Sequence, residues 1–239
     1  MSMKVYCCPF AGAGASVYRE WSPPPESGVE LHPVQFPGRE ELFDLAPLDT
    51  VPELVTHSLA QIRETAEPGE ELAVFGHSSG AVVAFELART IAASGEFRVA
   101  HLIVSGAPDP VTPLDLGLRG LSDDEFVRSV EKIAGFSHPA LAQPELRVIL
   151  LPPLRADMLA RDDYVAPRDA VVPVPITAIR GERDQLVSPE SLAAWKNRTA
   201  AGCTVTELPG EHMYFLPDAS GLLGLIAETI GRTVTEAAR

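Results

Sequence analysis

Apolar runs alternate with amphipathic segments along this chain, a pattern typical of a parallel sheet covered by helices on both faces. The apolar runs predict six strands, at residues 4–9, 30–35, 72–75, 100–105, 176–180 and 204–208. Longer segments with helical spacing fill the gaps between them, and no internal repeat is visible. The pattern therefore predicts an α/β fold.

Two of the intervening segments carry clear helix signals. Thr50 is followed three residues later by Glu53 and then by apolar residues at helical spacing, which predicts a capped helix covering one sheet face. Leu222, Ile226 and Ile230 have the same spacing near the end of the chain. We expect that segment to be a closing helix packed on the same core.

The alternation breaks between about residues 113 and 173. Ser122 with Glu125 opens one helical pattern there, and Pro144 opens another. Because this insertion precedes a late strand and follows a central one, it is placed to overhang the end of the sheet. We predict one domain over residues 1–239 with a helical lid at about 113–173; two ordinary crossover helices are the alternative.

Composition and charge exclude several classes of protein. The 239 residues are 46% hydrophobic and 22% charged, as expected for one globular domain. A net charge of −14 argues against a nucleic-acid-binding protein, which needs clustered Lys and Arg. Neither metal-ligand spacing nor a nucleotide-binding loop is present, so we predict no metal and no cofactor.

Targeting and redox signals are also absent from the sequence. No segment resembles a signal peptide or is long enough to span a bilayer, so we expect a cytoplasmic protein without a membrane partner. The three cysteines, two of them adjacent in a predicted strand, fit reduced thiols better than a disulfide framework. We expect a monomer.

A predicted strand and a helical run surround the pentapeptide Gly76-His77-Ser78-Ser79-Gly80. The G-x-S-x-G spacing is typical of a nucleophile elbow, a sharp turn that presents a serine hydroxyl above a sheet. Glycines at both ends lack the Cβ atoms that would collide where strand and helix nearly touch. Ser78 is therefore the candidate nucleophile, His77 is expected to be structural, and a plain glycine-rich turn is the alternative.

A serine nucleophile needs a base and an acid that orients the base. His212 follows both the elbow and the last predicted strand, which matches the chain order serine, acid, histidine. Asp184 follows the strand at 176–180 and is the favoured acid, while Asp109 follows the preceding strand and is its rival. We predict that His212 is the base.

The tetrahedral intermediate of acyl transfer needs backbone N–H donors for its oxyanion. The residue after the nucleophile, Ser79, supplies the first donor in this architecture. A loop of small residues leaves the first strand, and Ala11 within it is the second candidate donor. A merely flexible turn is the alternative there.

Taken together, these segments resemble the type II thioesterases that accompany polyketide synthases and nonribosomal peptide synthetases. The resemblance runs nearly end to end. It is carried by Cys8-Pro9-Phe10-Ala11-Gly12, Gln35-Phe36-Pro37-Gly38-Arg39-Glu40, Gly76-His77-Ser78, Gly181-Glu182-Arg183-Asp184 and Glu211-His212. Ala13 stands where a third glycine is common, Ser79 where methionine is common, and Glu211 where glycine is common.

The resemblance implies an α/β-hydrolase with a helical lid, which hydrolyses acyl groups from the phosphopantetheine arm of an acyl or peptidyl carrier protein. It assigns the triad to Ser78, Asp184 and His212, and the oxyanion donors to Ala11 and Ser79, with no cofactor. An esterase or lipase acting on small oxygen esters is the runner-up, and a non-catalytic carrier-binding protein is a third reading.

The negative charge conflicts with docking to carrier proteins, which are commonly acidic, because like charges slow association. We therefore predict a local basic or apolar docking patch near the pocket mouth, with Arg19 and Arg39 as members. Glu211 places an extra carboxylate beside the candidate base. The sequence leaves open whether it acts on His212 or faces solvent.

Overall fold

The computed structural model describes residues 2–135 and 139–237; residues 1, 136–138 and 238–239, which belong to the predicted domain, lie outside the described residues. Six strands are present in this part of the chain: β1 (Met3–Cys8), β2 (Val29–Pro33), β3 (Glu71–His77), β4 (Arg98–Ser105), β5 (Ile176–Gly181) and β6 (Cys203–Leu208). They match the predicted strands to within a few residues, so the predicted α/β fold is confirmed.

The strands form one sheet in the order β2-β1-β3-β4-β5-β6, and every neighbouring pair is parallel. The chain starts in the strand next to one edge of the sheet, moves outward to the edge strand β2, and then crosses β1 to add β3, β4, β5 and β6 on its other side. Because all strands run the same way, their carboxyl ends lie at one edge. The loops that follow β1, β3, β5 and β6 therefore meet at that edge.

The described residues form seven α-helices, six between strands and one after the last strand: α1 (Ser16–Arg19), α2 (Val51–Thr65), α3 (Ser79–Ser94), α4 (Asp123–Ala134), α5 (Pro144–Asp163), α6 (Pro189–Ala193) and α7 (Ser220–Ala237). Local sequence sets several of their ends. Thr50 accepts the N–H of Glu53 at the start of α2, and Ser122 forms a reciprocal capping box with Glu125 at the start of α4. Both caps are the ones that the sequence predicts.

Alternate residues of the strands pack into two apolar layers, one on each face of the sheet. On one face, Val74 packs in a cluster with residues of α2 and α3 and with Trp195. On the other face, Phe75 packs with Tyr18 of α1 and with residues of α7. Helices on both faces thus bury the strands, which explains why the strand sequences read as nearly continuous apolar runs.

Helices α4 and α5 lie between β4 and β5 in the chain and have an apolar cluster of their own. Phe126 and Val127 of α4 pack there with Leu151, Leu154 and Met158 of α5. The strongly amphipathic α4 needs this partner because its apolar face would otherwise be exposed to water; its polar face is exposed. Across the described residues, no helix combines the length and the apolar character that crossing a membrane requires.

Candidate active site

Ser78 sits at a strained turn between β3 and α3, with φ of +53° and ψ of −120°. Positive φ is costly for a residue with a side chain, so packing must enforce it. A Cβ on Gly76 would lie 2.1 Å from the carbonyl oxygen of Gly80, and a Cβ on Gly80 would lie 2.4 Å from that of Cys8. The two glycines let β3 and α3 approach this closely, and the turn lifts Ser78 out of the sheet.

Three side chains from three different loops meet above the sheet edge. The Ser78 Oγ lies 3.2 Å from the Nε2 of His212, and the Nδ1 of His212 lies 2.9 Å from the Oδ2 of Asp184. His212 is 5% exposed and Asp184 is 4% exposed. In this arrangement Nδ1–H donates to the carboxylate, which leaves Nε2 free to accept the serine proton.

The surroundings of Asp184 keep its carboxyl group ionised. Burial raises its pKa, but the hydrogen bond and charge of His212 and two backbone donors outweigh burial and hold the pKa below the ordinary value. The backbone donors are the N–H groups of Leu186 and Val187, at 2.8 and 3.1 Å from Oδ1. Asp184 can therefore stabilise a positively charged imidazole at neutral pH.

Asp109, the rival acid, has other partners. Its Oδ2 lies 3.1 Å from the Nε of Arg198, and its Oδ1 accepts the N–H of Val111. It is buried in the loop after β4, and its hydrogen bond and ion pair are to these groups rather than to His212. Of the two carboxylates that the sequence offers, the structure brings Asp184 to the histidine.

The N–H of Ala11 has no acceptor among the described residues, although the N–H groups beside it are occupied. Gly12 donates to the Oδ2 of Asp157 at 2.8 Å, and Ala13 donates to the carbonyl oxygen of Phe10 at 3.0 Å. Ser79 is the first residue of α3, where a helix leaves its N–H groups unsatisfied. Both candidate donors line the same cavity as Ser78.

A buried network behind the triad was not predicted. His77 is fully buried, its Nδ1 lies 2.9 Å from the Oγ of Ser105, and that Oγ lies 2.7 Å from the hydroxyl oxygen of Tyr214. Burial, with a smaller contribution from His212, holds the pKa of His77 well below its ordinary value. A neutral His77 thus packs 5.0 Å from the His212 ring, between centroids. The sequence feature that could have pointed to Tyr214 is its position two residues after His212.

The segment after β2 supports the loop that follows β1. The Oε1 of Gln35 accepts the N–H of Ala15 at 3.1 Å, and the Oε2 of Glu40 accepts the N–H of Ser16 at 3.1 Å. Glu40 has a φ of +50°, a second strained position. The 35–40 motif of the sequence therefore holds the loop that carries Ala11.

Arg39 is buried in an ion pair, so its predicted place in a docking patch is wrong. Its Nη1 and Nη2 lie 2.5 and 2.9 Å from the two carboxylate oxygens of Asp157, and Nη1 also donates to the carbonyl oxygen of Ala13. Only 5% of Arg39 is exposed.

Arg19 is exposed and pairs with Glu41 at 2.7 Å. The side chain of Glu211 is exposed.

A cavity of about 760 Å³ opens above Ser78 and His212. Helices α4 and α5 and the segment between them supply much of its apolar wall, and other parts come from the loops after β1, β4, β5 and β6. Its apolar side chains include Leu116, Val130, Ile133, Leu141, Leu150, Leu154, Met158, Leu186, Met213 and Leu216. The space is large enough for an acyl chain, and it leads to the serine hydroxyl.

Comparisons with known proteins find related thioesterases. The gramicidin S biosynthesis protein GrsT of Aneurinibacillus migulanus is 34% identical over 215 residues, which cover 89% of this chain and 82% of that protein. The thioesterase PikA5 of Streptomyces venezuelae is 32% identical over 213 residues, covering 89% and 75%. The solved structure of the type II thioesterase BorB, from the borrelidin biosynthetic cluster, superposes with a TM-score of 0.82 at 30% identity, covering 95% of this chain and 92% of that one.

The thioesterase domain family matches residues 3–233, nearly the whole chain. A match of that length includes every strand, the elbow and the late histidine. The chain belongs to the thioesterase family, as an α/β-hydrolase related to the type II thioesterases of polyketide and nonribosomal peptide pathways.

Proposed function

We propose that this thioesterase hydrolyses acyl groups from the phosphopantetheine arm of acyl or peptidyl carrier proteins, through an acyl-serine intermediate on Ser78. The observation that carries the proposal is the hydrogen-bonded series Ser78, His212 and Asp184 at the base of an apolar cavity. A serine that is only structural has no need of a buried histidine and an ionised carboxylate behind it.

In the first step, the Nε2 of His212 removes the Ser78 proton while Oγ attacks the thioester carbonyl carbon. The carbonyl oxygen gains negative charge, and the N–H groups of Ala11 and Ser79 are free to stabilise it. The intermediate collapses as the carbon–sulfur bond breaks, and His212 returns its proton to the departing thiol. Ser78 then carries the acyl group as an ester.

In the second step, water replaces the thiol. His212 takes a proton from the water, whose oxygen attacks the ester carbon, and the carbon–oxygen bond to Ser78 breaks. Ser78 recovers its proton from His212, and the free acid leaves. Throughout, Asp184 holds the imidazole in one tautomer and stabilises its protonated form.

The named relatives support the substrate class. GrsT is a gramicidin S biosynthesis protein, and BorB is a type II thioesterase from a biosynthetic cluster. In this proposal the chain clears stalled or aberrant acyl units from carrier proteins, and it acts in the cytoplasm as a monomer. Helices α4 and α5 form its lid in this proposal, since they cover the cavity from an insertion between β4 and β5.

The proposal is tested by loading one purified carrier protein with an acyl-phosphopantetheine arm and measuring the released acid by mass spectrometry. Ser78→Ala should lower the rate at least about 1000-fold, because the nucleophile is lost. The neighbouring Ser79→Ala is the matched control and should stay within a few-fold, because it keeps its backbone N–H. Full activity in Ser78→Ala would rule out the mechanism.

A parallel assay with p-nitrophenyl esters separates carrier thioesters from small oxygen esters as substrates. We expect kcat/KM to be higher for the acyl carrier protein. A strong preference for the oxygen ester would instead identify a free-standing esterase. Sedimentation of the same preparation checks the monomeric state.

A further inference from the structure

Arg161 is a buried cation in the wall of the cavity. It lies on α5, which also contributes Leu154 and Met158 to that wall, and 5% of its surface is exposed. Its Nη1 donates to the carbonyl oxygen of Tyr164 at 3.2 Å, and its Nη2 has no acceptor. Within the part of the chain that the structure describes, no carboxylate forms an ion pair with this guanidinium.

The bond to Tyr164 does not account for the burial of a whole positive charge. A basic side chain in the last helical turn can bond a terminal carbonyl while its charge stays in water. Burial lowers the pKa of Arg161 to about 10, so the side chain is still charged at neutral pH. Asp162 is next to it in sequence, but its Oδ1 accepts the N–H of Leu116 instead.

The position of Arg161 along α5 sets its distance from the loop that carries the candidate oxyanion donor Ala11. Leu154, Met158 and Arg161 are spaced by four and three residues and therefore share one face of the helix. Leu154 touches the loop that carries Ala11, since a Cβ on Gly12 would lie 3.0 Å from its Cδ1. Arg161 lies two turns further on, about 10 Å along the helix axis.

The other residues of the cavity wall indicate which kind of ligand suits Arg161. Among the described residues that line the cavity, Arg161 is the single lysine or arginine. Three acidic residues also line the cavity: Glu20 and Glu40 are exposed to solvent, and Glu131 of α4 is partly exposed. An apolar enclosure with one unpaired cation fits a ligand that is mostly apolar and carries one oxygen acceptor.

We propose that Arg161 binds an oxygen acceptor, above all a carboxylate, that the acyl group carries at the end remote from the thioester. The inference rests on the proposed function and adds a substrate class to it: acyl chains that end in a carboxylate. The Nη2 of Arg161 has no protein acceptor and lies beside Nε on one edge of the planar guanidinium. That edge matches the two oxygens of a carboxylate.

The test measures kcat/KM for four thioesters of one carrier protein: hexanoyl with adipoyl, and octanoyl with suberoyl. The members of each pair have equal length and differ only in the terminal carboxylate. Arg161→Met should lower the ratio of acid-ended to alkyl kcat/KM by about 10- to 100-fold, the effect of losing a charged hydrogen bond. Arg161→Lys should give an intermediate ratio, because it keeps the charge without the fork.

Arg119→Met is the matched control, because Arg119 pairs with Asp163 at the end of the same helix and does not line the cavity. Its ratio should equal that of the wild type. Removing an uncompensated buried charge should also leave the Tm of Arg161→Met unchanged or higher.

Two outcomes would overturn the assignment. An unchanged ratio in Arg161→Met would show that the side chain does not select the substrate. Equal losses on all four thioesters, with a lower Tm, would show that Arg161 only supports the end of α5. If the wild type released none of the four, the proposed function itself would be contradicted, which is a different result from either of these.

Discussion

Asp157 of α5 binds Arg39 through both carboxylate oxygens and at the same time accepts the N–H of Gly12, next to the candidate donor Ala11. The Arg39 side chain is 6% exposed and the Asp157 side chain is 2% exposed, so the ion pair is nearly inaccessible to water. One carboxylate therefore joins the cavity helix to the loop in which an oxyanion donor must be held. This contact links the stability of the fold to the geometry of the site.

Asp157→Ala should lower kcat by about 10- to 100-fold with little change in KM. The N–H of Gly12 then loses its acceptor, and the N–H of the adjacent Ala11 is no longer held in place to stabilise the oxyanion. It should also destabilise the fold by about 3 kcal/mol, since Arg39 is left as an unpaired buried charge. Steady-state kinetics and denaturant unfolding measure the two effects. The alanine variant of Asp163, whose ion pair with Arg119 is exposed, is the control and should change stability by under about 1 kcal/mol.

An unchanged kcat in folded Asp157→Ala would contradict this role. So would an equal fall in kcat for the Asp163 variant. Replacing Arg39 and Asp157 together by apolar residues should destabilise less than the single Asp157 change, because no charge is then stranded.

Gly76→Ala should destabilise the protein by at least about 2 kcal/mol and abolish activity, because its Cβ would collide with the backbone of Gly80. The control is Gly224→Ala in α7, where a Cβ meets nothing within 4 Å. That variant should be more stable by up to about 1 kcal/mol, as alanine favours a helix interior. Similar unfolding free energies for the two variants would show that the elbow is not tightly packed.

The stability of the protein should fall as the pH decreases from about 7 towards 4. Burial, helped by the charge of Arg232, lowers the pKa of His101 to about 4, and its ring nitrogens contact Thr233 and Thr177. Below its ordinary pKa of about 6.5 the unfolded chain binds a proton that the folded chain does not, so stability rises with pH over this window.

The contribution of His101 is at most about 3 kcal/mol, present above pH 6.5 and lost as the pH falls to about 4. His77, whose pKa is also lowered by burial, acts in the same direction. His101→Gln should therefore show a shallower loss of unfolding free energy between pH 7 and 4.5. An unchanged slope in that variant would mean that His101 is not the group responsible.

The parts of the site that the sequence could predict depend on local pattern and chain order. Ser78 stood out because glycines, a strand and a helix surround it, and His212 because it follows the last strand. The sequence favoured Asp184 as the acid but kept Asp109 as a rival, because each follows a strand of the sheet. Only the fold places Arg198 beside Asp109 and the imidazole of His212 beside Asp184.

The sequence could not predict contacts between distant segments. Arg39 and Asp157 are 118 residues apart, and nothing local to Arg39 distinguishes a buried arginine from an exposed one. The same holds for Arg161, which lacks an ion pair because the side chain of the neighbouring Asp162 bonds to Leu116 instead. Buried charges are set by packing that no local pattern encodes.

In the proposed mechanism, His212 activates the hydroxyl of Ser78. A fluorophosphonate probe, followed by peptide mass mapping, tests it directly, because the probe bonds to an activated serine. The predicted result is rapid labelling of Ser78 in the wild type and in Ser79→Ala, none in Ser78→Ala, and very slow labelling in His212→Gln. Labelling of another serine, or an unchanged rate in folded His212→Gln, would contradict the activation of Ser78 by His212.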